Sequence, residues 1–100
     1  MAGAWLIGVL VEVIGEPSAL RHFFAVGSDD RARAEWKAID QALLVGRVAT
    51  SPVGGLEPVH AVGELSAQSI SAQGLRPGEV RALGRRWPRR WAVIPRDPPD

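Results

Sequence analysis

The stretch AWLIGVLVEVI, Ala4 to Ile14, constrains this chain more than any other part of it. It is rich in β-branched residues, carries a tryptophan, and reads as a strand buried on both sides. In strand geometry Trp5, Ile7, Val9, Val11 and Val13 share one face, and Leu6, Gly8, Leu10, Glu12 and Ile14 share the other. A strand apolar on both faces needs neighbours on both edges and cover above and below, so it belongs at the centre of a sheet. The same run has no basic segment before it and meets Glu12 and Gly15 too early to cross a bilayer.

The rest of the chain supplies partners for that strand. GEPSA holds Gly15, Pro17 and Ser18 for a turn. LRHFFAV, Leu20 to Val26, then reads as an antiparallel partner in which Leu20, His22, Phe24 and Val26 alternate with Arg21, Phe23 and Ala25. Ser28 and Asp29 are candidate N-caps for a helix over about residues 29 to 45, whose apolar positions Ala32, Trp36, Ile39 and Leu43 recur at helical spacing. Gly46 suits its C′ position. Its charged positions Arg31, Arg33, Glu35, Lys37 and Asp40, with Gln41, mix signs as a solvated face does.

After a Gly- and Pro-rich connector, Arg47 to Pro58, in which Val48 to Thr50 can be extended, VHAVGEL over Val59 to Leu65 alternates like a strand with one buried face. A second, shorter helix follows. With Ser66 as N-cap and Gly74 as C′, Leu65 and Ile70 form a hydrophobic staple, and Ile70 also meets Leu75. Arg76-Pro77-Gly78-Glu79 fits a type II turn, and Val80 to Leu83 a short strand.

The expectation is an α+β domain with a mainly antiparallel sheet of three to five strands, in the order β-β-α-β-α(short)-β, and one long helix packed on one face. One hundred residues suffice for one domain, expected over 1–94 with a basic Arg/Trp segment at 84–94, followed by a disordered tail at 95–100.

Chemistry is harder to find. The absence of cysteine excludes disulfides, thiolate metal sites and a cysteine nucleophile. No phosphate loop, dinucleotide fingerprint, nucleophile elbow or zinc-protease motif occurs. No cofactor, metal or specific small molecule is therefore inferred. His60 and Glu64 stand four apart on one predicted strand face, roughly 13 Å along it, too far to share a metal. Glu12, alone in an apolar strand, either meets Arg21 across the hairpin or faces solvent. A ligand site or small enzyme would require Glu12, His22, His60 and Glu64 to line one pocket.

The charge distribution is uneven. Between Arg76 and Arg96 seven arginines face Glu79 alone, a net +6 in a chain whose total is +1. Arginine outnumbers lysine eleven to one, a ratio that biased codon usage also produces and that competes with a functional cause. The segment RRWPRRW holds Arg85, Arg86, Trp87, Arg89, Arg90 and Trp91, the candidate partner-binding residues. Trp87 and Trp91, four apart, fall on one side of a helix or of a strand, and Pro88 with the like-charged i,i+4 arginines argues against a helix. WAVI, Trp91 to Ile94, reads as a final edge strand. Three roles are open to the segment: an arm for nucleic acid or another polyanion, a membrane-surface patch, or tryptophans folded back to finish the core. The last is favoured, because tryptophans in so small a domain pack.

The functional expectation is a non-enzymatic interaction module, bacterial and cytoplasmic, that associates with itself or another protein through an exposed sheet edge or its C-terminal segment. The alternative is a nucleic-acid-binding protein using the six Arg and Trp residues above.

Overall fold

A computed structural model describes residues 3–52 and 55–86, and the backbone of 93–94. Strand β1, Trp5–Glu12, is buried along its whole length except at Glu12. It lies between β2, Leu20–Val26, and β4, Val59–Leu65, and is antiparallel to both. β5, Val80–Gly84, adds to the outer side of β2, and the two-residue β6, Val93–Ile94, to the outer side of β4, giving the order β5-β2-β1-β4-β6. β3, Arg47–Val48, pairs with the end of β1, opposing Arg47 to Glu12. Among the described residues the protein is thus a small α+β fold with an antiparallel sheet and two helices.

The two faces of β1 feed two separate cores. Trp5, Ile7, Val9 and Val11 join Phe24 and Val26 under helix α1, Arg31–Ala42. Leu6 joins Ala4, Ala25, Leu65 and Leu75 on the other face, with Phe23, Val62, Ile70 and Leu83 against them. Helix α2, Ala67–Gln73, contributes Ile70 to this second core, so cover is not confined to one side of the sheet. Each large side chain of β1 taken fully out of water contributes about 1.5–3 kcal/mol, which makes this strand the main hydrophobic contribution in the molecule.

Helix α1 differs from its expected form in three ways. Its N-cap is Asp30, whose carboxylate accepts from the N–H groups of Ala32 at 3.0 Å and Arg33 at 3.4 Å. It ends at Ala42, and Leu43 to Val45 form a turn in place of a further helical turn. Gly46 has no left-handed φ and is no αL cap. Its role is close approach, since a Cβ there would overlap the Glu12 carbonyl oxygen.

The face that α1 buries is also corrected. The residues inside are Ala34, Ala38 and Ala42, spaced i, i+4, i+8, and not Trp36 or Leu43. Trp5 and Phe24 rise from the sheet directly beneath, and only alanine-sized side chains let a helix sit close over such bulk. The indole N–H of Trp5 reaches the Asp29 carbonyl at 3.5 Å, which ties the entry of α1 to β1.

α2 is capped as its sequence implies. The Ser66 hydroxyl accepts from the Ser69 N–H at 3.1 Å. Gly74 is left-handed, with φ 64°, and the N–H groups of Leu75 and Gly74 donate to the carbonyls of Ile70 and Ser71, both at 3.1 Å. This paired arrangement satisfies the last carbonyls and sets Leu75 against Ile70. The following turn closes with the Glu79 N–H donating to the Arg76 carbonyl at 3.0 Å.

Candidate interaction surface

Because the alanine stripe turns inward, the large apolar residues of α1 turn outward. At 100° per residue, carried through Leu43, the C-cap of α1 whose φ of −63° and ψ of −20° are still helical, Ala32, Trp36, Ile39 and Leu43 fall within a sector of about 60° centred some 130° from the buried alanines. Trp36 is 68% exposed and Leu43 57%, whereas Ile39 is half-buried at the edge of the sector. The turn after the helix continues the patch with Leu44, 79% exposed, and Val45. Across a shallow groove lined by Val45, Gly46 and Arg47 on one side and residues 12–19 on the other stands Ile14, fully exposed. Scattered apolar side chains are ordinary on a surface, but a contiguous helical stripe running into an apolar turn marks a contact site.

Charges border the stripe asymmetrically. Arg33 and Asp40 lie on one side of it, seven residues apart, and neither makes an ion pair among the described residues. On the other side Glu35 is already held by Arg31, with Nε to Oε2 at 3.2 Å.

The residues singled out from sequence are dispersed. Arg85 and Arg86 are exposed just beyond β5. Trp87, Arg89, Arg90 and Trp91 lie outside the described residues, as does the tail expected at 95–100. The backbone of 93–94 does form an edge strand, with Glu64 opposite Ile94 and Leu65 opposite Val93.

Glu12, His22, His60 and Glu64 do not converge. His22 stands opposite Val9 and shares its face, the one under α1. His60 stands opposite Gly8, on the other face. Glu64 does not share His60's face as strict alternation requires, because the register shifts between Leu6 and Ile7: Leu6 faces Gly63 and Ile7 faces Ala61, which leaves Val62 as an extra residue. Beyond this bulge Glu64 is opposite Trp5, on the α1 side. Glu12 is exposed at the end of β1. No group of three or more His, Asp or Glu among the described residues is placed to hold a metal.

Arg21 does not serve Glu12. Its side chain lies over Gly8, where a Cβ would come within 2.8 Å of the Arg21 Cδ. Its guanidinium donates to the carbonyls of Gly8 at 3.3 Å and Glu57 at 3.1 Å, fastening the connector to the sheet. Gly8 thus makes room for an arginine that spans two strands and a loop.

At the other end of the molecule Glu79 gathers the α2–β5 turn. Its carboxylate accepts from the Arg76 N–H at 2.9 Å and pairs with the Arg81 guanidinium at 3.2 Å, while Arg81 also donates to the Gln73 carbonyl at the end of α2. The hydrogen bond from the Arg76 N–H, then the Arg81 guanidinium, hold the Glu79 carboxyl below its ordinary value of 4.5. This cluster is a clasp between backbone segments and leaves no group aimed at a ligand.

Sequence reasoning passed over Trp36, Leu43 and Leu44 as surface residues. The available signal was that α1 carries two stripes at helical spacing, one of alanines and one of larger residues. Among the described residues no helix is long and apolar enough to cross a membrane. No protein-family model, curated protein or solved structure significantly matches this chain.

Proposed function

We propose that the protein is an interaction module that docks onto a protein surface through the outer face of α1 and the turn that follows it. The observation that carries this reading is the exposed stripe of Trp36 and Leu43, continued by Leu44, on a helix whose other side is anchored by alanines. A tryptophan beside leucines on a rigid helix supplies the central, desolvating contact on which interfaces depend. This reading replaces the sheet edge or C-terminal segment as the docking surface and keeps a protein as the partner. Photo-crosslinking tests it: a benzophenone side chain at position 36 or 44 is expected to join the chain to a discrete protein, a second copy included. The same probe in place of Gln68, exposed on α2, is expected to give none. Equal labelling at all three positions, or none at 36 and 44, overturns the proposal.

A second reading, a polyanion-binding protein, is favoured by Arg85 and Arg86, which are exposed and make no ion pair among the described residues. Affinity for single-stranded or duplex oligonucleotides would then fall steeply with salt and weaken when both arginines become glutamine. Binding absent at low salt removes this reading.

A further inference from the structure

The outer face of α1 is complementary to itself, and we infer that its occupant is a second copy of this chain, docked helix against antiparallel helix about a two-fold axis. This rests on the interaction reading above and assigns its partner.

The spacing of Ala32, Trp36, Ile39 and Leu43 is four, three, four, which is the same read in either direction. It places the four residues at alternating core positions of a heptad, d-a-d-a, and antiparallel packing sets each a against a d of the partner. A two-fold axis at the midpoint of the stripe therefore brings Trp36 against Ile39 of the other copy and Leu43 against Ala32, each contact occurring twice. Large meets smaller in every layer, so the seam closes without a collision between the two indoles.

The charges select the same arrangement. In this register Arg33 and Asp40 occupy the e positions on the exposed flank, where e faces e of the partner. Arg33 of one copy then stands opposite Asp40 of the other, and Asp40 opposite Arg33. A parallel pairing sets each e position against g of the partner and so places Asp40 beside Glu35, which is repulsive. On the opposite flank Glu35 keeps its own Arg31, so no like-charged pair is left facing across the seam. The two helix dipoles also lie side by side and antiparallel, each positive end beside the other's negative end.

Twelve helical residues span about 18 Å, so the seam is short and lies at the low end of specific interfaces. The dimer therefore forms and dissociates with concentration.

Sedimentation equilibrium on the full chain from about 5 to about 500 μM is expected to show the 10.7 kDa mass rising toward twice its value. Trp36→Glu is expected to leave a monomer throughout, with an unchanged circular dichroism spectrum because the side chain is exposed. Arg33→Glu alone and Asp40→Arg alone are each expected to weaken dimerisation roughly tenfold, and the double exchange to restore it within about threefold. Since the chain has no cysteine, orientation is read directly. A mixture of Ala32→Cys and Leu43→Cys chains is expected to form the mixed disulfide, and neither chain alone to form a homodisulfide. A strictly monomeric wild type, a dimer indifferent to Trp36→Glu, no rescue by the double exchange, or a homodisulfide of the Ala32→Cys chain overturns the proposal. A monomeric chain that still crosslinks from position 36 to a different protein overturns the second copy while leaving the interaction reading intact. A monomer that crosslinks to nothing overturns both.

Discussion

Single residues here have roles that their type alone does not announce. Glu79 is only partly covered, yet it receives the Arg76 N–H and the Arg81 guanidinium, and its pKa is lowered as a result. A carboxyl whose folded pKa is depressed adds stability above its unfolded pKa, and that stability is lost as pH falls through the folded value. The wild type is therefore expected to melt above Glu79→Gln at pH 7 by a small margin. The margin should close as pH drops below about 4.5, the ordinary value of the group. Thermal melts of the two proteins from pH 7 to pH 3 check this; a constant margin across that range refutes the role given to the charge. Gly8 and Arg21 show the same point from the steric side, since the missing Cβ of one is the space occupied by the side chain of the other.

For elements, the deciding event is which side of α1 meets the sheet. Its three inward alanines leave no room for growth, whereas Trp36 can be removed at little cost. Ala38→Leu is expected to destabilise the fold by about 1–3 kcal/mol through overpacking against β1 and β2. Trp36→Ala is expected to change stability by less than about 0.5 kcal/mol when measured on the dilute monomer. Urea unfolding of both variants reads the contrast, and the reverse order would mean that the helix packs through its tryptophan. In α2 both ends depend on local chemistry. Gly74→Ala forces a Cβ into the left-handed region and is expected to cost about 1–2 kcal/mol by the same measurement. The caps of α2 were legible because Ser66, Ile70, Gly74 and Leu75 interact within ten residues of one another. The end of α1 was not, because what fixes Gly46 is the Glu12 carbonyl, thirty-four residues away in the chain.

At the scale of the whole molecule the register of β4 on the central strand is set by one extra residue, as Leu83 shifts β5 on β2. Val62 lets β4 present Val59, Ala61 and Glu64 toward α1 while His60 and Leu65 point to the other core. Deleting Val62 removes the bulge and sends everything on one side of it to the wrong face. The deletion is expected to abolish cooperative thermal unfolding, and a variant that melts as the wild type does would show that the bulge is dispensable. The same residue parts Glu64 from His60, since residues four apart share a face only in an uninterrupted strand, while His22 and His60 already lie on opposite faces and Glu12 at the end of β1.

The sequence by itself determined the central strand and the composition of its two faces, because alternation is a local property and eight consecutive residues of β1 obey it. It determined the bounds of β2 and β4 and both caps of α2 for the same reason. Only the tertiary structure decided which stripe of α1 is inside. Both stripes have helical spacing, and hydrophobicity favours the larger one. Packing chose the alanines because Trp5 and Phe24 had already filled the space between helix and sheet. The surface on which the function is proposed is the consequence of that choice: the residues a sequence reader assigns to the core were left outside, where a second helix can reach them.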